Sequence, residues 1–442
     1  MNKTKRILLL SSILLIALGI VLKVSQVREQ NNNQVDINNE VRGSETLQCE
    51  GALEKVQSSL DSFSVDREWY LIEDSNYNTM DIVLENTDIQ SELLDEITVS
   101  YEIDGTEKDI PYDEDSSSWS TSLNIDDLEP SRYDLTINAQ MEACDVELKS
   151  VDSINISYPV YVTWTMDWEG FDVEQKYLDS IKKISNDYRM PVTHFFNPYI
   201  YLNLNDERSK YLTDWVLSRQ NVGDSIGLHL HMNNKMVEAA GVTPKTDISW
   251  GGWAKDGQDI PNSVYGYDDY SKIVKWAQAQ FKENSLPKPT MFRAGAWFAD
   301  EENLLVLEDL DFKLDSSGRT YKLYGENELE LPWDLKNTTQ PYRLNRYNQN
   351  IVNNPNMELW EYPNNGGDTW AYSSEQLIKN FDDNYSGGIS NSRKVITYLS
   401  HPHWFNVDEP KVINLLDYTQ KFGIVNDKGP VVFTTLDRIE IN

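Results

Sequence analysis

The sequence predicts an α/β protein: a (β/α) barrel, complete or lacking a strand, preceded by a small all-β sandwich domain and an N-terminal membrane anchor. Three patterns carry that reading. From residue 158 onward, short apolar runs suited to strands alternate with longer amphipathic stretches suited to helices. Between residues 46 and 157, short alternating runs are separated by polar turns, the pattern of packed antiparallel strands. At the start, Lys3, Lys5 and Arg6 precede an uncharged apolar run from Ile7 to Leu22.

That apolar run, about 16 residues, lies between a signal-peptide core and the roughly 20 residues of a membrane-crossing helix. No small-x-small cleavage site follows, since Lys23-Val24-Ser25-Gln26 leads straight into polar sequence. Residues 1–24 are therefore expected to be an uncleaved anchor, with the basic flank in the cytoplasm and the rest of the chain outside the cell. Cleavage would instead give a secreted protein. Residues 25–45 contain a stretch rich in Asn, Gln and acidic residues, expected as a flexible stalk.

Strands are expected over 69–72, 80–85, 97–103, 119–123, 133–139 and 146–156, which makes 46–157 an immunoglobulin-like sandwich without the Cys-Trp-Cys spacing of true immunoglobulin domains. Its expected part is that of a spacer or packing partner. The chain has 2 cysteines, Cys49 and Cys144, both in the exported part, where a pair is expected to form a disulfide. Closing a loop of about 95 residues would stabilise this region by on the order of 4 kcal/mol in the chain-entropy account.

In residues 158–442 the expected strands are 161–165, 191–196, 225–231, 290–293, 312–315, 357–362, 395–401 and 431–435. The expected helices are 173–187, 207–219, 267–283, 301–310, 374–383 and 411–421. In such a barrel, functional groups gather where strands end. Residues 232–266, containing Trp250-Gly251-Gly252-Trp253, form a long insertion after the third strand, and an insertion of that length is more often functional than not.

Composition narrows the function. With 39 Lys plus Arg against 72 Asp plus Glu, the net charge is −33, which repels nucleic acid and excludes it as a partner. An acidic surface tolerates a cationic product such as an amino sugar, although solubility explains the same charge. The 13 Trp, 24 Tyr and 12 Phe suit a carbohydrate groove as well as cores and sheets.

Of 5 histidines, His229, His231, His401 and His403 fall in two His-x-His pairs at expected strand ends. Alternate residues of a strand share a face, so His229 and His231 can present two imidazoles to one ion. Asp167 and Glu169 share a face in the same way at the end of the first barrel strand. Two imidazoles and a carboxylate make a three-ligand site for a hydrolytic metal, with a second carboxylate left as a base.

Five elements in order carry a resemblance: Thr165 to Gly170, Gly227 to His231, Phe292-Arg293-Ala294-Gly295-Ala296-Trp297, Leu314-Asp315-Ser316-Ser317 and Leu399-Ser400-His401. Over 158–442 the chain resembles the polysaccharide deacetylases, also called the NodB homology domain or carbohydrate esterase family four. The resemblance implies a metal-dependent hydrolase that removes acyl groups from a polysaccharide, with a divalent ion, zinc by default. It implies Asp167 as catalytic base, Glu169, His229 and His231 as metal ligands, and Arg293 as the cation that keeps the base ionised. It implies His401 as general acid and Asp315 as the carboxylate that orients and charges it.

Departures from the family pattern are equally plain. Trp168 separates two acids that are usually adjacent, so base and ligand could be exchanged. The usual second histidine, four residues after the first, is Asn233. The loop after Arg293 lacks the usual prolines and tyrosine, and Trp297 is expected to replace that wall. Trp250, Trp253, Trp297, Trp333 and Trp404 are expected either to stack on sugars or to fill the core. His403 lines the pocket or faces outward, and His194 is expected to be structural.

Three other readings compete. An amidohydrolase-type site needs its His pair on the first strand, which here carries acids. A glycoside hydrolase would leave the histidines without a task, and same-face carboxylates on one strand seldom flank a bond from opposite sides. A non-catalytic glycan-binding protein on the same fold would bind metal without turnover.

Overall fold

The computed structural model describes residues 39–86, 89, 94–320, 329 and 331–440. The expected anchor and most of the expected stalk lie outside the described residues. Among the described residues, no helix is long and apolar enough to cross a membrane.

A helix, α1 (Asn39–Asp61), stands where the end of a stalk and the start of the strand region were expected. The expectation fails because the helix shows only a thin apolar stripe: Ala52, Val56 and Leu60, spaced by four, are buried within otherwise polar sequence.

Nine strands follow: β1 (Ser64–Val65), β2 (Trp69–Leu71), β3 (Thr79–Glu85), β4 (Ile97–Ile103), β5 (Thr106–Asp109), β6 (Tyr112–Asp113), β7 (Ser118–Asn124), β8 (Ser131–Met141) and β9 (Val146–Ser157). They form two sheets, ordered β1-β3-β7-β6 and β2-β9-β8-β4-β5. Strand β3 alternates exposed and buried residues along its whole length, as its sequence dictates. Met80, Ile82 and Leu84 from one sheet share a core with Tyr101, Ile137 and Ile154 from the other and with the stripe of α1. The disulfide Cys49–Cys144 ties α1 to the turn between β8 and β9, with Cα atoms 5.8 Å apart.

The remaining strands are β10 (Val160–Asp167), β11 (Val192–Phe196), β12 (Ser225–Leu230), β13 (Met291–Ala294), β14 (Leu314–Asp315), β15 (Tyr342–Asn345), β16 (Asn356–Glu361), β17 (Gly367–Asp368), β18 (Lys394–Ser400) and β19 (Val431–Thr434). Between them run α2 (Gln175–Tyr188), α3 (Asp206–Gln220), α4 (Asn234–Ala239), α5 (Tyr267–Glu283), α6 (Glu301–Asp309), α7 (Ser374–Asn384) and α8 (Phe405–Thr419). Helices α6 and α7 open in capping boxes, Asp300 with Asn303 and Ser373 with Gln376.

The order across this sheet is β15-β16-β14-β13-β12-β11-β10-β18-β17, parallel except for β15. Strand β10 is central and buried at every residue. Its first half pairs with β19 and its second half with β11, while β18 runs along its other edge. Among the described residues no strand pair joins β17 to β15, so the sheet curls without closing. Parallel strands end on one rim. That rim collects Asp167, Asp315 and Asp368 at the last positions of β10, β14 and β17, with Glu169, His231 and His401 just beyond β10, β12 and β18.

Candidate metal and catalytic site

At the end of β10 the side chains alternate between two environments. Asp167 and Glu169 line the pocket at the rim. Trp168 points the other way and packs against His194, Phe196 and Trp215. Its indole N–H donates to His194 Nδ1 at 3.2 Å, and His194 Nε2 faces Asp224 at 3.1 Å. His194 is therefore a structural residue beneath the acids.

Glu169, His229 and His231 bring ligand atoms within 4.8 Å of one another, and all three are buried. Each imidazole is turned by a carbonyl. His229 Nδ1 faces the Arg293 carbonyl at 3.0 Å and His231 Nδ1 faces the Gln258 carbonyl at 2.7 Å. A carbonyl only accepts, so both rings carry hydrogen on Nδ1 and turn Nε2 to the pocket. Gly295 permits this: a Cβ there would lie 2.6 Å from His231 Nδ1.

Glu169 Oε2 lies 2.5 Å from His231 Nε2, and Oε1 lies 3.6 Å from His229 Nε2. Burial opposes ionisation of Glu169, but the His231 and His229 imidazoles outweigh it and hold the carboxyl well below its ordinary range. His229 Nε2 is buried and, among the described residues, has no hydrogen-bond partner. Two imidazole nitrogens and a carboxylate converge on one point, and that donor set fits a divalent ion with open coordination positions.

Asp167 belongs to a different pair. Arg293 Nη1 donates to Asp167 Oδ1 at 2.9 Å and to Thr165 Oγ1 at 2.6 Å, while Nε donates to the Ser316 carbonyl at 2.9 Å and Nη2 to Ser316 Oγ at 2.7 Å. With Glu169 among the imidazoles and Asp167 on the guanidinium, the geometry separates two acids that the sequence left interchangeable.

Asp315 stands away from His401 and does not orient it. It is fully buried beside Glu361, accepts from the Ser317 hydroxyl at 2.7 Å, and lies within the field of Arg293. The physical reason is sheet order: Asp315 aligns with Phe292 on one side and Glu361 on the other, and β13, β12, β11 and β10 stand between β14 and β18. Burial first, then the Asp315 charge, pushes Glu361 well above its ordinary range, so the pair keeps a proton.

The pair yields a stability prediction. An unfolded Glu361 releases its proton near pH 4.3 to 4.5 and a folded one holds it, so the associated stability is full below that pH and is lost as pH rises toward the folded value, at about 1.4 kcal/mol per unit. Glu361→Gln keeps a donor toward Asp315 and an acceptor for the Gly318 N–H, which Glu361 Oε1 accepts at 2.7 Å. Chemical denaturation from pH 5 to 8 should show a steeper decline for the wild type than for this variant; parallel slopes would contradict the shared proton.

The carboxylates within 4 Å of His401, among the described residues, are Asp408, Asp368 and Glu169. Nδ1 lies 3.7 Å from Asp408 and 3.9 Å from Asp368, and Nε2 lies 3.7 Å from Glu169. The Asp408 carboxylate also accepts from the His401 backbone N–H at 2.8 Å. Burial disfavours the imidazolium, but Asp368, Asp408 and Glu169 together prevail and push His401 up to about 10.

The pocket above these groups has a volume of about 510 Å³, and its walls include Trp250, Trp253, Trp297, Trp370 and Trp404. Trp253 and Trp370 are 61% and 57% exposed, unusual for indoles and in keeping with a surface that receives a ligand. Trp297 is buried beneath Arg319, whose guanidinium lies 4.1 Å above the ring, and Ala296 and Trp297 both adopt the left-handed backbone region. Trp333 is not on the wall; its indole donates to the Trp297 carbonyl at 2.8 Å. His403 is behind the wall, packed on Trp404 and Phe171, and burial drives it down to about 3.

No protein-family profile and no curated protein matches the chain. Solved structures align with its larger part. A Mycobacterium smegmatis protein provisionally named a polysaccharide deacetylase aligns at TM-score 0.39 and 13% identity, over 63% of this chain and 88% of that one. A family 4 carbohydrate esterase from Streptomyces lividans in complex with acetate aligns at 0.31 and 9%, over 58% and 86%. The peptidoglycan deacetylase PdaC from Bacillus subtilis aligns at 0.32 and 10%, over 63% and 89%. At such distances the likeness carries no side-chain assignments.

Several residues at the site escape sequence reasoning. Asp368 ends a strand of two residues, too short for any pattern. Asp408 sits inside α8, seven residues after His401, where an acid in a first helical turn is ordinary. Gln258 and Trp370 lie in loops, and only the length of the 232–266 insertion pointed toward the first.

Proposed function

We propose that this chain is a metal-dependent hydrolase that removes acyl groups, acetyl above all, from an envelope or extracellular polysaccharide. One observation carries the reading: two imidazoles locked with Nε2 inward and a carboxylate meet at one point, between an acid paired with arginine and a histidine flanked by carboxylates. The five sequence elements in deacetylase order support it.

Glu169, His229 and His231 hold the divalent ion, zinc by preference for this donor set. Such an ion supplies Lewis acidity to a carbonyl and acidifies water. Asp167 takes the proton from the attacking water, with Arg293 as its counter-charge. His401 gives a proton from Nε2 to the departing nitrogen or oxygen, and Asp368 and Asp408 favour its charged form. Arg293 acts by orienting Asp167 and does not meet the substrate. Trp253 and Trp370 present apolar faces to sugar rings, and Trp297 backs the wall behind them. The run at 7–22 anchors the protein, which works outside the cell.

The test is acetate release by the purified full-length protein from chitin-like oligomers, peptidoglycan and acetylated plant polymers, with and without chelator. Release from one class, abolished by chelation and restored by zinc, is expected. Bound zinc with no release from any of them would favour a non-catalytic glycan-binding role.

A further inference from the structure

The 232–266 insertion folds back over the rim, and one of its residues touches two of the three metal-ligand side chains. The Gln258 carbonyl accepts from His231 Nδ1 at 2.7 Å, and its side-chain Nε2 donates to Glu169 Oε2 at 2.6 Å. The side-chain Oε1 accepts from Asn233 Nδ2 at 2.8 Å. Because an ionised carboxylate only accepts, the Gln258 amide has one orientation, with its N–H aimed at Glu169 and its oxygen turned to the Asn233 N–H. Gln258 and Asn233 are 7% and 1% exposed, so neither contact competes with bulk water.

The backbone is built for the same approach. Gly257 is in the left-handed region at φ 84°, and a Cβ there would lie 2.3 Å from the Met232 carbonyl. The loop then crosses the pocket wall: Asp259 Oδ2 accepts from the Trp253 N–H at 2.7 Å, and its carbonyl accepts from the Trp250 N–H at 3.0 Å. The residue that holds the ligands is thus adjacent to the one that places two wall tryptophans.

We propose that Gln258 is the positioning residue through which the insertion sets the affinity of the metal site, with Asn233 holding its amide in place by donating to the amide oxygen. This rests on the metal site of the proposed function. Carboxylate and imidazole are held at their coordinating orientation before the ion arrives, so less ordering remains to be done on binding. The coupling is reciprocal: an ion on Glu169 and His231 also fixes Gln258, and with it the loop.

The experiment uses zinc and the full-length protein, with affinity read by competition against a chromogenic chelator. Gln258→Met keeps length and the backbone carbonyl but loses the amide; Asn233→Leu keeps the branched shape but loses the donor. Each should weaken zinc binding by about tenfold or more. The double variant should be no weaker than Gln258→Met alone, because the two act through one contact. Zinc should also slow proteolysis within 232–266 in the wild type and less so in Gln258→Met.

Near-ultraviolet circular dichroism identifies a variant that fails to fold; should Gln258→Met do so, Asn233→Leu and the zinc-dependent protection of the wild-type loop carry the test. Wild-type affinity in both single variants, additive losses in the double variant, or a loop equally protected with and without zinc would each overturn the proposal. A wild-type protein that binds no zinc would overturn the metal reading as well, which distinguishes the two failures.

Discussion

Asparagine in place of Asp167 lowers turnover by on the order of a hundredfold or more while zinc stays bound. The substitution keeps size and an acceptor for the Arg293 Nη1 donor, which lies at 2.9 Å, but removes the ability to take a proton. His401→Ala should cost a comparable factor, because it removes the imidazole that Asp368 and Asp408 keep charged at that end of the pocket. Single-turnover acetate release alongside zinc analysis checks both. An unchanged rate in either variant, on the wild-type enzyme's own substrate, removes that residue from the chemistry.

A pH dependence accompanies this result. His401 must be charged to act, so the rate falls as pH rises through its folded value, which the surrounding carboxylates push up to about 10 against the effect of burial. A cation on Glu169 neutralises one of those carboxylates, so the alkaline limb of the loaded enzyme lies below that value. Asp408→Asn removes another and should move the limb further toward neutrality. A limb that stays in place would exclude Asp408 from charging the imidazole.

The other large effect concerns the ion itself. His229→Ala with His231→Ala should reduce bound zinc to roughly a tenth of the wild-type content or less, since two of three ligands disappear. Zinc should raise the melting temperature of the wild type and leave that of the double variant unmoved. The wild type holds Glu169 ionised through those two imidazoles against the cost of burial, so their removal leaves a buried carboxyl that takes up a proton and no longer attracts a cation. Equal zinc in both proteins would sink the site.

Much of this arrangement was legible in the residues, and the reason is periodicity. Strand β10 and helix α5 lie close to where their patterns predict, because long, strongly patterned elements leave little freedom. His229 and His231 converge with Glu169 because period two puts i and i+2 on one face, and both pairs end on the same rim. The failures share a different cause. Asp315 follows the family order in sequence, yet the carboxylates beside His401 Nδ1 come from β17 and α8, and which strand lies next to β18 is a matter of sheet order that no local pattern encodes. Gln258 reaches Glu169 across 89 positions through a loop whose path depends on one glycine. Helix α1 was missed because three apolar residues give too faint a stripe.

Only Tyr158 and Pro159 separate β9 from β10, and the joint is pinned. Tyr158 donates its N–H to the Ser390 carbonyl at 3.0 Å, the Ser390 N–H returns to Ser157 Oγ at 2.9 Å, and Asp427 accepts the backbone N–H groups of Glu68 and Trp69 at 2.6 and 2.9 Å. The strand that ends in Asp167 is thus nearly a continuation of one in the neighbouring sheet. Force on the amino-terminal sheets therefore reaches the floor of the cleft through a two-residue joint and the hydrogen bonds that pin it, so arm and cutting edge would turn together.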